Sequence, residues 1–332
     1  MAAINGCKAK RPWHKILLLK SFILTFCAIW FIAASLPAQI RWQNVSAGYG
    51  KLPSSLQVYR TSDSLNGRPF IAFCVIANLK DRKLDFTALT GEGKRFTPTQ
   101  YYLQNDSPLL VVNSTFFSFE TNQNLNAVII NDTLRAYNVS ALRRKDKDSF
   151  YYPTRSAIGI TKGRRADVAW LFTDTTYHRA YAFQRDPVVA AGPNPDPSFK
   201  DLNTFAKWRW WRVRTAVGGG PVLIHDKQIR ITNKEEQMFP NGEADKHPRT
   251  AMGYTADRRL VILVIQGRNP GIAEGATLAE EAQLLLDLGC VEALNLDGGG
   301  SSSMLVNGKQ TIKPSDKGSE RPVPAVFVIA AK

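Results

Sequence analysis

Short apolar runs recur along the chain from residue 70 onward and predict a protein built mainly of β-strands. Turn residues follow several of these runs and predict where the strands end. The runs cover residues 70–77, 109–112, 127–130, 157–160, 167–172, 221–224, 260–265, 291–296 and 325–330. Because a turn signal at Lys162-Gly163 separates residues 157–160 from residues 167–172, these two runs are expected to form a hairpin.

One segment has the pattern of an amphipathic helix instead. Thr277 and Glu280 have the spacing of a capping box, in which the threonine caps the first turn and the glutamate reaches back. Apolar residues within 278–286 give the segment one buried face, and Gly289 predicts its end. Many strands with few long helices indicate an α+β fold, with a large mixed, mostly antiparallel β-sheet core and a few packed helices.

The first 38 residues resemble an export signal. Lysines and arginines without any acid accompany an apolar run over residues 16–36. Small residues near Ser35 and Ala38 suit cleavage, although an uncleaved membrane anchor fits the same pattern. The sequence therefore predicts a leader at 1–38, a linker at 39–57 and one globular domain at 58–332, located in the periplasm, on the cell surface or in the medium.

Charge points to an anionic partner. The chain of 332 residues has a net charge of +15, of which the leader, with its five cations and no acid, supplies +5. The remainder suits a phosphate-bearing substrate, an acidic polysaccharide or a membrane surface. No nucleic-acid-binding motif accompanies the charge, so no nucleic acid partner is expected. Membrane contact is expected only through the N-terminal segment.

Cysteine use argues against a structural metal centre. Beyond the leader only Cys74 and Cys290 remain, each inside an apolar run. We interpret them as buried free thiols, and a disulfide between them stays an open alternative. There is no cluster of cysteine and histidine residues in the sequence, which argues against a structural zinc site.

The strongest chemical motif spans residues 295–304, where a predicted strand runs into three glycines and three serines. Consecutive glycines let backbone N–H groups approach a ligand, and a nest of such groups suits phosphate oxygens. Asp297 lies at the strand end, where its carboxylate could reach a substrate. The alternative is a flexible turn that the aspartate caps. The predicted contributors are Asn295, Asp297, Gly298, Gly299, Gly300, Ser301 and Ser302.

A second β-prone segment meets three glycines at Gly218, Gly219 and Gly220, shortly after Arg214. One such turn is weak evidence for a ligand site. Two of them in one chain favour a cradle for a phosphate or a sugar, so these glycines join the predicted substrate-binding residues.

Three polar side chains stand at or near predicted strand ends. Arg249 could form a bidentate hydrogen bond with a phosphate, or it could be a surface arginine. His247 could act as a general acid near neutral pH, or it could be a structural hydrogen-bonding residue. Asn113 could bind a sugar hydroxyl, or it could be a turn residue that precedes core aromatics.

The segment 207–214 alternates tryptophan with lysine and arginine. Tryptophan faces stack on sugar rings, but the same alternation suits an edge strand with one wet face. Motifs of serine hydrolases, zinc proteases, P-loop enzymes and dinucleotide-binding enzymes are absent from the sequence. The commonest hydrolase and nucleotide-enzyme classes are therefore not favoured.

Four blocks together resemble the phosphodiester glycosidase family, which includes the lysosomal uncovering enzyme. The blocks are residues 113–117, 218–223, 249–253 and 295–304, in the family's order, and Asn-Leu-Asp-Gly-Gly-Gly-Ser-Ser is the most specific. This chain has Asn113-Ser114-Thr115 where the family commonly has Asn-Gly-Gly, so a reshaped substrate pocket is expected. The style of the leader suggests a bacterial member.

The resemblance implies hydrolysis of the bond between a sugar's anomeric carbon and a phosphate, as in N-acetylglucosamine-1-phosphodiesters. Asp297 would be the carboxylate at the anomeric carbon, Arg249 and the glycine turn would hold the phosphate, and Glu280 is the second carboxylate candidate. No cofactor is required, although Asp297 could bind a divalent cation. The alternatives are a non-catalytic envelope protein that binds anionic glycans and an exopolysaccharide-assembly factor with changed chemistry.

Overall fold

The structure, a computed structural model, describes residues 40–143, 150–185, 187, 190–192, 209–239 and 242–332, together with Ala2. Residues from Ile40 to Lys332 form one compact unit. The leader predicted at 1–38 lies outside the described residues, apart from Ala2. The segment 39–57, predicted as a linker, contributes a strand and the 3-10 turn Ser46–Tyr49 to the compact unit, and Tyr49 is buried.

Eight strands form the first and largest sheet. They are β1 (Gln43–Asn44), β2 (Leu56–Thr61), β3 (Ala72–Asn78), β16 (Val222–His225), β17 (Gln228–Ile229), β18 (Arg249–Thr255), β19 (Arg259–Ile265) and β20 (Cys290–Asn295). Their order across the sheet is β1-β2-β3-β19-β18-β20-β16-β17.

Three further sheets contain the remaining strands. The five-stranded sheet has the order β22-β21-β5-β23-β4, with β4 (Leu84–Thr90), β5 (Leu110–Asn113), β21 (Met304–Val306), β22 (Lys309–Gln310) and β23 (Ala325–Ala331). The seven-stranded sheet has the order β14-β12-β11-β10-β15-β6-β7, with β6 (Val128–Ile130), β7 (Thr133–Ala136), β10 (Arg155–Ile160), β11 (Ala166–Asp174), β12 (Arg179–Phe183), β14 (Arg209–Trp210) and β15 (Thr215–Gly218). The three-stranded sheet has the order β13-β9-β8, with β8 (Leu142–Arg143), β9 (Phe150–Tyr152) and β13 (Ala190–Gly192).

The described residues contain two α-helices, α1 (Pro98–Gln104) and α2 (Leu278–Asp287). The capping box predicted for α2 is confirmed, because the Thr277 hydroxyl accepts from the Glu280 N–H and the Glu280 carboxylate accepts from the Thr277 N–H. Gly289 follows the helix with a φ of 84°, a left-handed conformation that suits glycine. Helix α1 was not predicted, because its seven residues are too few to display an apolar period.

The first sheet is buried on both faces, which explains the uninterrupted apolar sequence of β19. Leu260, Ile262 and Val264 pack into the core cluster that the first sheet shares with the other sheets. The alternate residues Val261 and Leu263 pack into the cluster that contains the apolar face of α2. A strand whose two faces avoid water has no need of polar alternation.

The expectation of a large, mostly antiparallel sheet core is confirmed, but the α+β class fits only loosely. Every strand pair in the described part of the chain is antiparallel, so the expectation of a mixed sheet was wrong. The protein is β-rich with two helices among its described residues. Cys74 and Cys290 are free and buried, in agreement with the preferred interpretation.

Candidate active site

Asn113, at the end of β5, connects the two sheets that border the candidate site. Its Nδ2 donates to the backbone oxygen of Asp297 at 2.5 Å. Its Oδ1 accepts from the Thr250 hydroxyl of β18 at 2.9 Å and from the Ser303 N–H at 3.0 Å. The side chain is fully buried. Because both its polar atoms are used inside the protein, Asn113 positions the site, and the structure does not present it to a sugar hydroxyl.

The segment 296–303 carries the chain from β20 in the eight-stranded sheet to β21 in the five-stranded sheet. Backbone hydrogen bonds fix its first half on both sides. Leu296 and Gly299 donate to the carbonyl oxygens of Thr250 and Pro248, and Asp297 donates to that of Ser114, at 2.7–2.8 Å. We call this segment the Asp297 turn.

The carboxyl group of Asp297 is suited to proton exchange near neutral pH. The residue is half-buried, and burial raises the pKa of its carboxyl group to about 7. The Ser301 hydroxyl, the Arg321 charge and the Gly298 N–H each lower this pKa, but burial outweighs them. A carboxyl group whose pKa lies near the working pH can act as an acid, a base or a nucleophile.

Two arginines that no sequence motif indicated pack against the glycines of this turn. A Cβ atom on Gly299 would lie 3.1 Å from Nη2 of Arg268, and a Cβ atom on Gly300 would lie 2.2 Å from Nη2 of Arg321. Asp316 holds Arg321 through an ion pair at 3.0 Å. At Gly300 the guanidinium group occupies the space of a side chain, so a larger residue there would displace Arg321.

Most N–H groups of the Asp297 turn bind the protein itself. Those of Gly299, Ser301, Ser302 and Ser303 donate to the Pro248, Gly298 and Gly299 carbonyl oxygens and to Oδ1 of Asn113, respectively. These four amides are therefore not free to bind a phosphate. The positive charge beside this turn comes from the two guanidinium groups, which can bind phosphate oxygens in pairs.

Arg249, at the start of β18, is buried and used inside the protein. Its Nε donates to the Ala276 carbonyl at 2.9 Å and its Nη2 donates to the Asp245 carbonyl at 2.8 Å. Burial lowers the pKa of Arg249, while Glu281 and Asp245 raise it. These contacts use two donors of the guanidinium group inside the protein, while its charge lies close enough to His247 to lower the pKa of that residue.

The two adjacent glutamates of α2 have opposite environments. Glu280, the predicted second carboxylate, caps the helix and also accepts from Asn66 at 2.9 Å and Lys246 at 3.0 Å. Burial raises the pKa of Glu280, but these partners outweigh it and lower the pKa overall. Glu281 is fully buried without a hydrogen-bond partner among the described residues, and burial raises its pKa to about 8 despite Arg249. A catalytic role for Glu280 therefore competes with these structural bonds.

His247 lies in the same neighbourhood as Arg249 and Arg268. Burial lowers the pKa of His247, both arginines lower it further, and Asp245 raises it. The histidine is therefore neutral at neutral pH, which disfavours the predicted role as a general acid. Part of this lowering comes from the positive charges of Arg249 and Arg268, which lie near His247 at this end of the first sheet.

The second triple glycine is closed against the protein. The N–H groups of Gly218, Gly219 and Gly220 donate to the Ala127, Ser156 and Asn295 carbonyl oxygens at 2.7, 3.0 and 2.7 Å. All three glycines are buried. These three glycines therefore offer no free N–H group to the phosphate or sugar that the sequence predicted them to bind.

Two further predicted ligand residues point inward. Asn295 is buried and donates through Nδ2 to the Gly220 carbonyl at 2.8 Å, which joins the two glycine turns. Ser302 is fully buried, and its hydroxyl accepts from Thr250 at 3.3 Å. Ser114 and Thr115 are buried as well, and the Ser114 carbonyl oxygen accepts from the Asp297 N–H at 2.8 Å.

The tryptophan-rich segment divides into different environments. Trp211 is buried, and its Nε1 donates to Asp167 at 2.6 Å. Trp210 is exposed, but the guanidinium groups of Arg179 and Arg212 each lie 4.7 Å from its ring. Residues 207–208 lie outside the described residues. Of the two interpretations left open for this segment, the edge strand agrees with the structure, because Arg209–Trp210 lies at the edge of the seven-stranded sheet.

Asp297 belongs to no cluster of metal-binding side chains in the described part of the chain. The one such group found there, His225, Asp226 and Glu292, has ligand atoms within 4.8 Å of one another, at the hairpin between β16 and β17. Among the described residues, no helix is both long and apolar enough to cross a membrane.

Comparison with known proteins identifies the group to which this architecture belongs. The family model for phosphodiester glycosidases matches residues 109–330, which is more than half of the chain. The chain belongs to the phosphodiester glycosidase family. The match includes the Asp297 turn, Arg268 and Arg321.

Relatives of known sequence and structure agree with this family membership. The bovine enzyme N-acetylglucosamine-1-phosphodiester alpha-N-acetylglucosaminidase is 41% identical over 108 residues, which are 32% of this chain and 19% of that protein. The SPbeta prophage-derived uncharacterized protein YomE of Bacillus subtilis is 42% identical over 119 residues, 36% of this chain and 18% of its own. The matches thus span about a fifth of each relative's length.

One solved structure has the same fold over most of both chains. It is the zebrafish N-acetylglucosamine-1-phosphodiester alpha-N-acetylglucosaminidase catalytic domain auto-inhibited by its pro-peptide. The likeness covers 88% of each chain with a TM-score of 0.58 and 18% sequence identity. At this identity the likeness supports the fold of the phosphodiester glycosidase and leaves the choice of substrate to the site itself.

Proposed function

We propose that this phosphodiester glycosidase is an exported hydrolase that cleaves the bond between a sugar's anomeric carbon and the phosphate of a sugar-1-phosphodiester. The observation that carries the proposal is the Asp297 turn, where a half-buried carboxyl group lies beside Arg321 and the next glycines pack against Arg268 and Arg321. The bovine relative's name supports an N-acetylglucosamine-1-phosphodiester as the reference substrate.

Arg268 and Arg321 are assigned to the phosphate. Guanidinium groups bind phosphate oxygens through paired hydrogen bonds and stabilise the charge that develops as the sugar–phosphate bond breaks. Arg321 is oriented for this task by Asp316 and by the Ser301 hydroxyl, at 3.0 and 3.4 Å. Arg249 adds further positive charge, since its charge and that of Arg268 both lower the pKa of the neighbouring His247.

Asp297 is assigned to the anomeric carbon, as base or nucleophile. Cleavage of a glycosyl bond passes through an oxocarbenium-like transition state that a carboxylate assists. The phosphate leaves readily, so a strong general acid is less necessary than for an ordinary glycoside. The ionised form of Asp297 is the active one in this scheme, and its pKa of about 7 sets where that form appears.

The test is turnover of the methyl ester of N-acetylglucosamine 1-phosphate by purified protein, followed as released N-acetylglucosamine. Wild type is expected to release the sugar and Asp297→Asn to release none. Asp287→Asn, an exposed carboxylate at the end of α2, is the control that removes the same charge elsewhere. Binding without release by wild type would contradict hydrolysis and favour the alternative of a glycan-binding envelope protein.

Export is proposed from the leader alone, whose residues 3–38 lie outside the described residues. The matching experiment is cell fractionation with N-terminal sequencing of the recovered protein. A protein found only in the cytoplasm would contradict this part of the proposal and leave the assigned chemistry untouched.

A further inference from the structure

A cavity of about 310 Å³ lies at the far end of the sheets from the Asp297 turn. It is formed by the start of β4, the β10–β11 turn and the start of β15, together with Lys332. In β23, Val326 pairs with Asn113 while Ala331 pairs with Leu84, at the cavity end of β4. Val326 and Ala331 are five residue steps apart along the strand, which is about 17 Å. The cavity is therefore distinct from the candidate active site.

Positive charge dominates the wall of this cavity. Five cations line it against one acid, Asp85, and they are Arg82, Lys162, Arg164, Arg214 and Lys332. Asp85 is shared, since its Oδ1 lies 3.3 Å from Arg214 and 3.6 Å from Lys332. One carboxylate cannot neutralise both partners, and Lys162 has a second carboxylate, Asp132, at 3.0 Å. Five cations against these two acids still leave a positive excess that suits an anion.

Arg164 makes part of this wall rigid. Its guanidinium group donates to the Leu79, Asp81 and Leu84 carbonyl oxygens at 2.6, 2.5 and 2.7 Å and lies 5.1 Å from the Phe86 ring. Burial lowers the pKa of Arg164, and the nearby charges of Arg214 and Arg82 lower it further, although Asp85 and Asp81 raise it. The like charges are therefore held close together by the fold.

A second, independent feature points to a ligand. Thr215 lines the cavity and is only 1% exposed, yet its Oγ1 has no hydrogen-bond partner among the described residues. A buried hydroxyl without a partner is unfavourable, and a bound polar molecule would supply the missing bond. Thr161 lines the same wall, but its hydroxyl donates to the Arg165 carbonyl oxygen at 3.3 Å and accepts from the Arg165 N–H at 3.2 Å.

We propose that this cavity is a second binding site, for one phosphorylated sugar unit, at the opposite end of the sheets from the Asp297 turn. The volume is at the lower end of the range of small-molecule pockets, roughly 300–1,000 Å³, and suits a single unit. The cations bind the phosphate, and the unpartnered Thr215 hydroxyl binds the sugar. Phe86 is buried beneath Arg164, so it offers no stacking face for a nucleic acid base.

The experiment measures binding of glucose 6-phosphate by calorimetry, with glucose and inorganic phosphate as comparison ligands. The double variant Lys162→Gln/Arg214→Gln removes two cavity charges. The double variant Arg41→Gln/Lys309→Gln removes two charges outside the cavity, where Arg41 pairs with Asp63 and Lys309 contacts the Gly48 carbonyl. Hydrogen exchange of the 161–165 turn reports the location of binding, and thermal unfolding confirms that all proteins are folded.

The cavity variant is expected to bind glucose 6-phosphate at least about tenfold more weakly than wild type, and the control variant within about twofold. Glucose 6-phosphate should slow hydrogen exchange at residues 161–165 in wild type and in the control variant, but not in the cavity variant. Glucose and inorganic phosphate should each bind wild type at least about tenfold more weakly than glucose 6-phosphate does. The proposal would be overturned if the two double variants bound glucose 6-phosphate equally, or if the ligand protected only other segments from exchange. It would also be overturned if a thymidine oligonucleotide protected residues 161–165 more strongly than glucose 6-phosphate.

Binding of a phosphate-bearing polysaccharide distinguishes a polymeric ligand from a free sugar phosphate. Tighter binding per phosphate than glucose 6-phosphate indicates a polymeric ligand, and equal binding indicates a free sugar phosphate; either result supports the site. Turnover by the cavity variant should equal that of wild type. A protein that binds here but hydrolyses nothing would contradict the proposed reaction alone.

Discussion

The two triple glycines of this chain have the same composition and opposite environments. At Gly218–Gly220 a Cβ atom would collide with fixed groups, such as the Asn295 carbonyl at 2.4 Å from Gly219 and Glu236 at 2.5 Å from Gly220. At Gly299 and Gly300 a Cβ atom would meet the guanidinium groups of Arg268 and Arg321. We call these the closed turn and the Asp297 turn.

Glu236 explains why the closed turn cannot bind an anion. This buried carboxylate accepts five hydrogen bonds, from the Ser156 and Val222 N–H groups and from the Ser156, Thr232 and Trp170 side chains, at 2.6–3.1 Å. A carboxylate already occupies the place where a phosphate would lie. Glycines bring the chain close to whatever is adjacent, so the adjacent groups, and not the glycines, decide whether a turn serves folding or ligand binding.

The largest expected effect comes from Asp297→Asn. Loss of the ionisable group at the Asp297 turn should lower kcat by roughly 10³-fold or more, because general acid–base and nucleophilic groups contribute on this scale. Circular dichroism should remain that of wild type. Steady-state kinetics with the methyl phosphodiester measures the loss, and turnover within tenfold of wild type would remove Asp297 from the mechanism.

The two turns should respond differently to the same added methyl group. Gly219→Ala places Cβ against backbone and should lower the free energy of unfolding by about 3 kcal/mol, because the surrounding strands cannot move aside. Gly300→Ala pushes the Arg321 side chain, which can move, so stability should fall by less than about 1 kcal/mol while kcat/KM falls roughly 100-fold.

Urea unfolding and kinetics on both glycine variants check this contrast. If Gly300→Ala kept full activity, or if Gly219→Ala were as stable as wild type, the distinction between the turns would be lost.

Arg321→Gln should lower kcat/KM for the phosphodiester by roughly 10- to 100-fold, since one charged donor to the phosphate is removed. Arg321→Lys keeps the charge and should recover part of the loss, because lysine cannot form the paired hydrogen bonds. Arg230→Gln, near β17, is a charge-matched control. The idea fails if the Arg321 and Arg230 variants lose activity equally.

The pH profile distinguishes the ionised from the protonated form of Asp297. Its pKa is raised to about 7, so the ionised form that acts as base or nucleophile accumulates as the pH rises. The kcat/KM of wild type should therefore climb about tenfold per pH unit below 7 and level off above it. A profile that falls through pH 7 would assign the protonated carboxyl group instead.

The last prediction concerns stability and not activity, and it involves Glu281, whose carboxyl group lies near the Arg249 charge. Its pKa is raised from 4.5 to about 8 in the folded protein, so its contribution is fully favourable below pH 4.5 and is lost as the pH rises toward 8. Wild type should lose about 1.4 kcal/mol of stability per pH unit in that window relative to Glu281→Gln. Urea unfolding at pH 5 and 8.5 measures the difference, and parallel curves would contradict it.

The strands and the capped helix α2 were predictable because their signals are local. The apolar run of β19 and the Thr277–Glu280 capping box need only their own sequence to be recognised. The family resemblance also followed from the 295–304 block. Helix α1 was missed because it is short, although Thr97 and Gln100 form the same kind of capping box and Pro98 follows the cap.

The site was less predictable, because side-chain direction depends on distant partners. Arg249 was selected at a strand start, but its donors turn to Ala276 and Asp245. Arg268 stands three residues after β19, where a strand-end search could have found it. Arg321 has no motif around it, and only the fold brings it to Gly300.

The most direct test is a crystal structure of Asp297→Asn bound to the methyl ester of N-acetylglucosamine 1-phosphate. The account predicts phosphate oxygens within about 3 Å of the Arg268 and Arg321 guanidinium groups, with the anomeric carbon facing residue 297. A phosphate bound at the closed turn, or a sugar whose anomeric carbon faces away from residue 297, would contradict it.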